Sequence, residues 1–221
     1  MRVLVVAPHM DDEVLGAGGT TARHVARGDE VYVCFVAHRV YAHRYDEEKC
    51  RFEMQCAEQA QSVLGYKALR FLNLPDERLD ACLQDIIIPL EEFVAEIAPE
   101  VVYINHRGDN NQDHRAVFQA AMVALRPAAN PRLRTLLCYE TPSSTEQAPP
   151  VAEAAFMPNC YINVTPYLER KLEALRCYHT EKRAFPHPRS EESVKILAQR
   201  RGIESSFPLA EAFMVLRDRW E

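Results

Sequence analysis

The chain has 221 residues, 48% of them apolar and 26% charged, a composition that suits a globular protein with one sizeable buried core. A formal net charge of -6 supplies no basic face for nucleic acid or an anionic membrane surface. No apolar run reaches the roughly 18 residues of a transmembrane helix, and Pro8 with the acids after it interrupts any signal-peptide core.

Strand and helix signals alternate from the start. Residues 2–7 read as a strand, with four apolar residues in a row (Val3 to Val6) that suit burial on both faces. Pro8 removes a backbone donor and ends it. A helix is expected from Asp12 to about Arg27, although Gly16, Gly18 and Gly19 weaken its propensity. Glu30 to Ala37 is a second strand, and Asp46 to Leu64 a helix, with Phe52, Cys56, Ala60 and Val63 at helical spacing and Gly65 as the stop. Ala68 to Leu72 reads as a short strand. Leu83 to Ile97 has helical period, with Pro89 expected to kink it or to open a second segment. Val101 to Asn105 is a strand, Asp113 to Leu125 a helix and Leu133 to Tyr139 a strand. Residues 140–160, rich in Pro, Ser, Thr and Ala, read as a long loop of the kind that often carries function. Leu168 to His179 returns to helix, Phe185 to Ser190 is a rigid turn, and Ser190 caps a helix running to Arg201. Ala210 to Leu216 is a last strand or extended arm. The βα rhythm predicts an α/β, Rossmann-like, mostly parallel sheet with helices on both faces and a C-terminal helix-and-loop extension, all in one domain spanning 1–221.

Seven cysteines, odd in number and without a CxxC pair, point to reduced thiols in a cytoplasm. The glycines after the first strand do not make a dinucleotide fingerprint. Counting from Gly16, the third glycine should fall where Thr21 stands, and the run follows the acidic group rather than the strand.

Open α/β sheets bind ligands beyond the carboxyl ends of their strands. His9, Asp11, Asp12 and Glu13 crowd the end of the first strand, and His9 and Asp12 can converge on one point across the strand-to-helix turn. A catalytic divalent cation takes three such ligands and keeps an open position. The polar stretch Asn105 to Val117 also follows a strand and opens a helix, and it supplies His114 as the third.

Pro8-His9-Met10-Asp11-Asp12-Glu13 with Gly16-Ala17-Gly18-Gly19-Thr20 resembles the first signature of the PIG-L/LmbE-like deacetylases, and Gly108-Asp109-Asn110-Asn111-Gln112-Asp113-His114-Arg115 resembles their second. The likeness continues in order through Leu74-Pro75-Asp76, Tyr139-Glu140-Thr141-Pro142-Ser143-Ser144, Phe156-Met157-Pro158-Asn159, His187-Pro188-Arg189-Ser190, Arg201-Gly202 and Ala210-Glu211-Ala212-Phe213. It implies a metal-dependent amidase, usually zinc-dependent, that removes acetyl or related acyl groups from amino-sugar nitrogens. His9, Asp12 and His114 are then the ligands and Asp11 the general base, which takes the proton of the attacking water and returns it to the leaving amine. Glu13 is placed to orient Asp11 or a ligand. The same ligands accept iron or manganese. The expected partner is a small N-acetylated amino sugar or its conjugate, and such proteins often assemble as homo-oligomers.

One departure stands out. Many members carry a histidine three residues before the last ligand, where it helps stabilise the oxyanion; here that residue is Asn111. His187, between Pro186 and Pro188, is the expected substitute, acting as an imidazolium oriented by Asp113. Arg51, Asp76, Glu140 and Arg189 are weaker candidates for gripping sugar hydroxyls or a phosphate, with a solvated helix position as the competing reading of Arg51 and ordinary turn or cap positions as that of the others. Two rival functions remain: a sugar-binding relative that holds metal without turnover, and an iron(II) oxygenase, whose facial triad also uses two histidines and a carboxylate but is expected on an all-β barrel.

Overall fold

The computed structural model describes residues 1–44 and 46–220, leaving aside the side chains of residues 39–42. In chain order it runs β1 (Arg2–Ala7), α1 (Asp12–Ala26), β2 (Glu30–Tyr41), α2 (Glu47–Leu64), β3 (Ala68–Asp76), α3 (Gln84–Ile97), β4 (Val101–Asn105), α4 (Gln112–Ala124), β5 (Thr135–Tyr139), β6 (Cys160–Asn163), α5 (Leu168–Cys177), α6 (Glu191–Ser205) and β7 (Ala210–Asp218). The strands form one sheet in the order β3-β2-β1-β4-β5-β7-β6. The first five are parallel, whereas β7 runs antiparallel to both β5 and β6.

The pleat explains the apolar run in β1. Val3, Val5 and Ala7 pack on one face with α1, α2, α5 and α6, while Leu4 and Val6 pack on the other with α3 and α4. Both faces are covered, so strict polar alternation is absent. Each Val or Leu buried in this way contributes about 1.5–3 kcal/mol.

Four local differences from the sequence-based expectation have physical causes. First, β2 and β3 run past Ala37 and Leu72 to Tyr41 and Asp76 through register shifts. β3 is an edge strand, where Pro75 costs no ladder bond. Second, α3 passes through Pro89 as one helix rather than restarting there. Third, Cys160–Asn163, assigned to loop at its first residue, forms an edge strand too short to show a period. Fourth, Ala210–Asp218 is a true strand between β5 and β6, not a free arm.

No helix among the described residues is long and apolar enough to cross a membrane. All seven cysteines are free thiols. β1 pairs with β2 on one side and β4 on the other, so the topological switch lies between β1 and β4. The crevice beyond their carboxyl ends is where this architecture places ligands.

Candidate active site

The turn after β1 and the turn after β4 meet in that crevice. His9, Asp12 and His114 are all buried, and one ligand atom from each lies within 4.8 Å of the others. Asp12 Oδ2 stands 3.4 Å from His9 Nδ1 and 3.2 Å from His114 Nε2, and it accepts the His9 backbone N–H at 2.9 Å. Asp12 Oδ1 is buried with no hydrogen-bond partner. An unpaired buried carboxylate oxygen is costly. Beside two imidazoles it fits a divalent cation, for which two nitrogens and a carboxylate are a familiar donor set.

The surrounding charge favours a cation as well. His9 Nε2 lies 3.0 Å from Asp76 Oδ1 and 3.3 Å from Asp113 Oδ2. His114 Nδ1 lies 2.7 Å from Asp109 Oδ2. Burial alone would lower both imidazole pKa values. Hydrogen bonds from Asp113, Asp12 and Asp76 override it at His9, as do the charge of Asp12 and the hydrogen bond to Asp109 at His114, so both are raised. For Asp12, burial acts upward but the His114 charge and hydrogen bond, followed by those of His9, hold it well below the ordinary carboxylate range. The pattern is an excess of carboxylate around two imidazoles, which attracts positive charge.

Asp11, Asp12 and Glu13 are three consecutive, fully buried acids, and each has a different partner. Asp12 faces the two imidazoles. Glu13 accepts the Tyr178 hydroxyl at 2.5 Å and the Asp11 backbone N–H at 3.1 Å. Burial, with the Asp11 charge adding, pushes its carboxyl up to about 8 against the Tyr178 hydrogen bond. Asp11 Oδ2 accepts Arg189 Nη1–H at 3.0 Å. Asp11 occupies the N-cap position of α1 with φ 116°, yet its side chain makes no capping bond. A non-glycine residue in that region is strained, and the carboxylate is turned toward the site instead of the helix.

On the β4 side, Asn111 Oδ1 caps α4 by accepting the Asp113 backbone N–H at 2.8 Å, which leaves its amide nitrogen as the donor. The Asn105 amide donates to the His114 carbonyl at 2.7 Å and fixes the helix against the strand. A cavity of about 550 Å³ opens over the cluster, bordered by His9, Asp76, Asn111, Ser143, His187 and Arg189. The loop after β5 therefore contributes to the site, through Ser143.

His187 reaches this cavity. Its Nδ1 accepts the Arg189 backbone N–H at 3.1 Å, so the proton of the neutral ring sits on Nε2. Burial and then the Arg189 charge lower its pKa, which disfavours the imidazolium. Asp113 does not touch it. Asp113 contacts His9 and accepts the backbone N–H groups of Glu77 at 2.7 Å and Leu79 at 3.2 Å, holding the end of β3 against α4.

The weaker candidates separate. Asp76 and Arg189 stand at the cavity. Arg51 is on the exposed face of α2, paired with Glu47 at 3.1 Å, and does not line the cavity. Glu140 is held by the Arg201 guanidinium at 2.7 and 2.6 Å, outside the cavity over His9. Asp109, Tyr178 and Glu181 also contact site residues, and the sequence assigns none of them a catalytic or binding role. Asp109 was the one with a usable signal, a carboxylate five residues before a ligand histidine, because ligand imidazoles bind a second acceptor through their other nitrogen.

Residues 4–125, more than half of the chain, match the PIG-L family, described as GlcNAc-PI de-N-acetylase. The uncharacterized deacetylase YaiS of Escherichia coli K12 is 32% identical over 180 residues, covering 79% of this chain and 88% of YaiS. The N,N'-diacetylchitobiose deacetylase of Pyrococcus horikoshii superposes with a TM-score of 0.76 at 18% identity, over 98% of this chain and 84% of that one. GalB of Pseudomonas putida KT2440, a 4-carboxy-2-hydroxymuconate hydratase, superposes with a TM-score of 0.76 at 21% identity, over 100% of this chain and 98% of its own. The fold thus serves more than one reaction, and the reaction has to be argued from the site.

Proposed function

Since the chain belongs to the PIG-L family of deacetylases, we propose that it is a zinc-dependent hydrolase that removes the N-acetyl group from an amino sugar or its conjugate. The observation that carries this reading is the buried His9–Asp12–His114 cluster, with the unpartnered Oδ1 of Asp12 inside it and Asp11 immediately beside it. When bound by these three residues, a divalent cation polarises the acyl carbonyl and makes water acidic enough to be activated at neutral pH.

The chain's own groups do the rest. Asp11 accepts the proton of the attacking water and delivers it to the departing amine nitrogen. His187 and Asn111 line the same cavity, and the hydrogen bonds at His187 Nδ1 and Asn111 Oδ1 leave the ring Nε2–H and the amide N–H as their donors. They donate to the carbonyl oxygen as negative charge develops on it, and such donors gain strength where water is excluded. Asp76 and Arg189 both border the space a sugar would fill, and Asp76 is the candidate for gripping its hydroxyls; Arg51 pairs with Glu47 and Glu140 with Arg201, away from this cavity. A cytoplasmic setting agrees with seven free thiols.

Acetate release is the direct test. Metal-loaded protein is assayed against N-acetylated sugars, nucleotide sugars and glycoconjugates, with metal analysis on the same sample and Asp11→Asn as the control. The expected result is acetate and free amine in equal amounts, falling by two or more orders of magnitude in Asp11→Asn. Binding of such sugars without acetate release favours the turnover-deficient relative, oxygen consumption with a 2-oxo acid favours the oxygenase, and hydration of an unsaturated carboxylate favours a hydratase on this fold.

A further inference from the structure

We infer that Arg189 is a positioning residue for Asp11, holding the carboxylate of the proposed base rather than gripping substrate. The inference rests on the deacetylase reading only for what Asp11 does; the contact itself does not depend on it. Arg189 Nη1 donates to Asp11 Oδ2 at 3.0 Å and to Glu181 Oε2 at 3.0 Å, while Nε donates to Ser143 Oγ at 2.6 Å. Two of the three guanidinium nitrogens are thereby committed to protein acceptors, which argues against a free fork awaiting a ligand. The Arg189 side chain is 15% exposed and that of Asp11 fully buried, so the pair is shielded from the screening that weakens surface ion pairs.

The local backbone explains why such a hold is needed. Asp11 sits at φ 116° without a helix-capping bond. Its carboxylate is therefore not spent on the helix end, and it stands next in sequence to the buried carboxylate of Asp12, which is held ionised. Arg189 brings a rigid planar cation from a segment 178 residues away. The same residue's backbone N–H fixes the ring of His187. One residue thus ties together the groups proposed to handle the proton and the developing oxyanion.

Two measurements test this. In the first, Arg189→Ala lowers kcat about 10- to 100-fold with KM within about twofold of wild type, a size expected when a catalytic group loses its orientation. Arg189→Lys recovers part of the loss, and so does added methylguanidinium. An unchanged kcat, or a raised KM at full kcat, overturns the inference, the latter in favour of substrate gripping. In the second, thermal unfolding of Arg189→Gln, Asp11→Asn and the double variant is followed by circular dichroism. The midpoint shift from Arg189→Gln should be less than half as large in the Asp11→Asn background, because the partner is already neutral. Equal shifts in both backgrounds overturn the inference. This second measurement needs no turnover, so it still decides the matter if no N-acetyl substrate releases acetate and the functional reading fails.

Discussion

Asp109 Oδ2 lies 2.7 Å from His114 Nδ1, while the other nitrogen of that imidazole faces Asp12 at 3.2 Å. Asp109 is itself held, because its Oδ1 accepts the Thr145 hydroxyl at 2.5 Å. The ring is therefore held in direction by Asp109, which is itself held from the loop beyond β5, and its other edge is left to Asp12.

Asp109→Ala should weaken metal binding about 10- to 100-fold, as removal of such an acceptor does in other metal proteins. Chelator competition followed by metal analysis measures it. An affinity equal to wild type would show that His114 keeps its orientation without Asp109.

Glu140 and Arg201 behave as a structural pair. Arg201 binds Glu140 at 2.7 and 2.6 Å and Glu204 at 2.9 and 2.7 Å, with both partners of the Arg201–Glu140 pair largely buried. Glu140→Ala leaves a buried guanidinium short of its main partner and should cost about 3 kcal/mol of stability, with KM for the sugar within twofold. Denaturant titration alongside steady-state kinetics checks both. A large rise in KM at unchanged stability would return Glu140 to the substrate.

Gly16 has no room for a side chain. A Cβ there would lie 2.1 Å from Cδ2 of Tyr139, a fully buried ring pinned by its hydroxyl donating to the Val6 carbonyl at 2.9 Å. Gly16→Ala gains helix propensity worth about 1 kcal/mol but forces a packed ring to move, which costs about 1–3 kcal/mol or more. The net expectation is a lower Tm and reduced metal content, since α1 begins at Asp12 of the proposed metal cluster. A raised Tm would mean that Tyr139 yields more easily than its packing implies.

His24 gives the fold a pH dependence away from the site. Burial lowers its pKa below 6.5, only partly offset by Asp29, which its Nδ1 meets at 2.8 Å; its Nε2 meets the Tyr103 hydroxyl at 3.0 Å. Between the depressed native value and about 6.5 the unfolded chain binds more protons, so stability rises with pH. The contribution is complete above about pH 6.5 and is lost as pH falls toward the native value. Thermal melts from pH 7.5 to 5 should show a steeper loss on acidification for wild type than for His24→Gln. Identical slopes would remove His24 from the pH response.

Much of this protein was determined by local signals. The apolar run Val3 to Val6 specified a strand covered on both faces, and the βα rhythm specified the parallel half of the sheet, because periodicity reports burial directly. Strand ends dense in His and Asp marked the crevice, because no packed strand tolerates such residues without a use for them. The cluster of His9, Asp12 and His114 was legible for the same reason.

What the tertiary structure alone decided is which charge meets which. Asp11, Asp12 and Glu13 carry the same kind of group, and only the fold shows that Arg189, the two imidazoles and Tyr178 give them three different environments. At His187 the backbone N–H of Arg189 donates to Nδ1, a hydrogen bond made by geometry rather than by residue type. Asp113 turned from His187 to His9 and the end of β3, and Glu140 from the cavity to Arg201. Partners such as Asp11 and Arg189 lie 178 residues apart. Electrostatic environment depends on distance and burial across the fold, and neither is encoded in the spacing of residues along one segment.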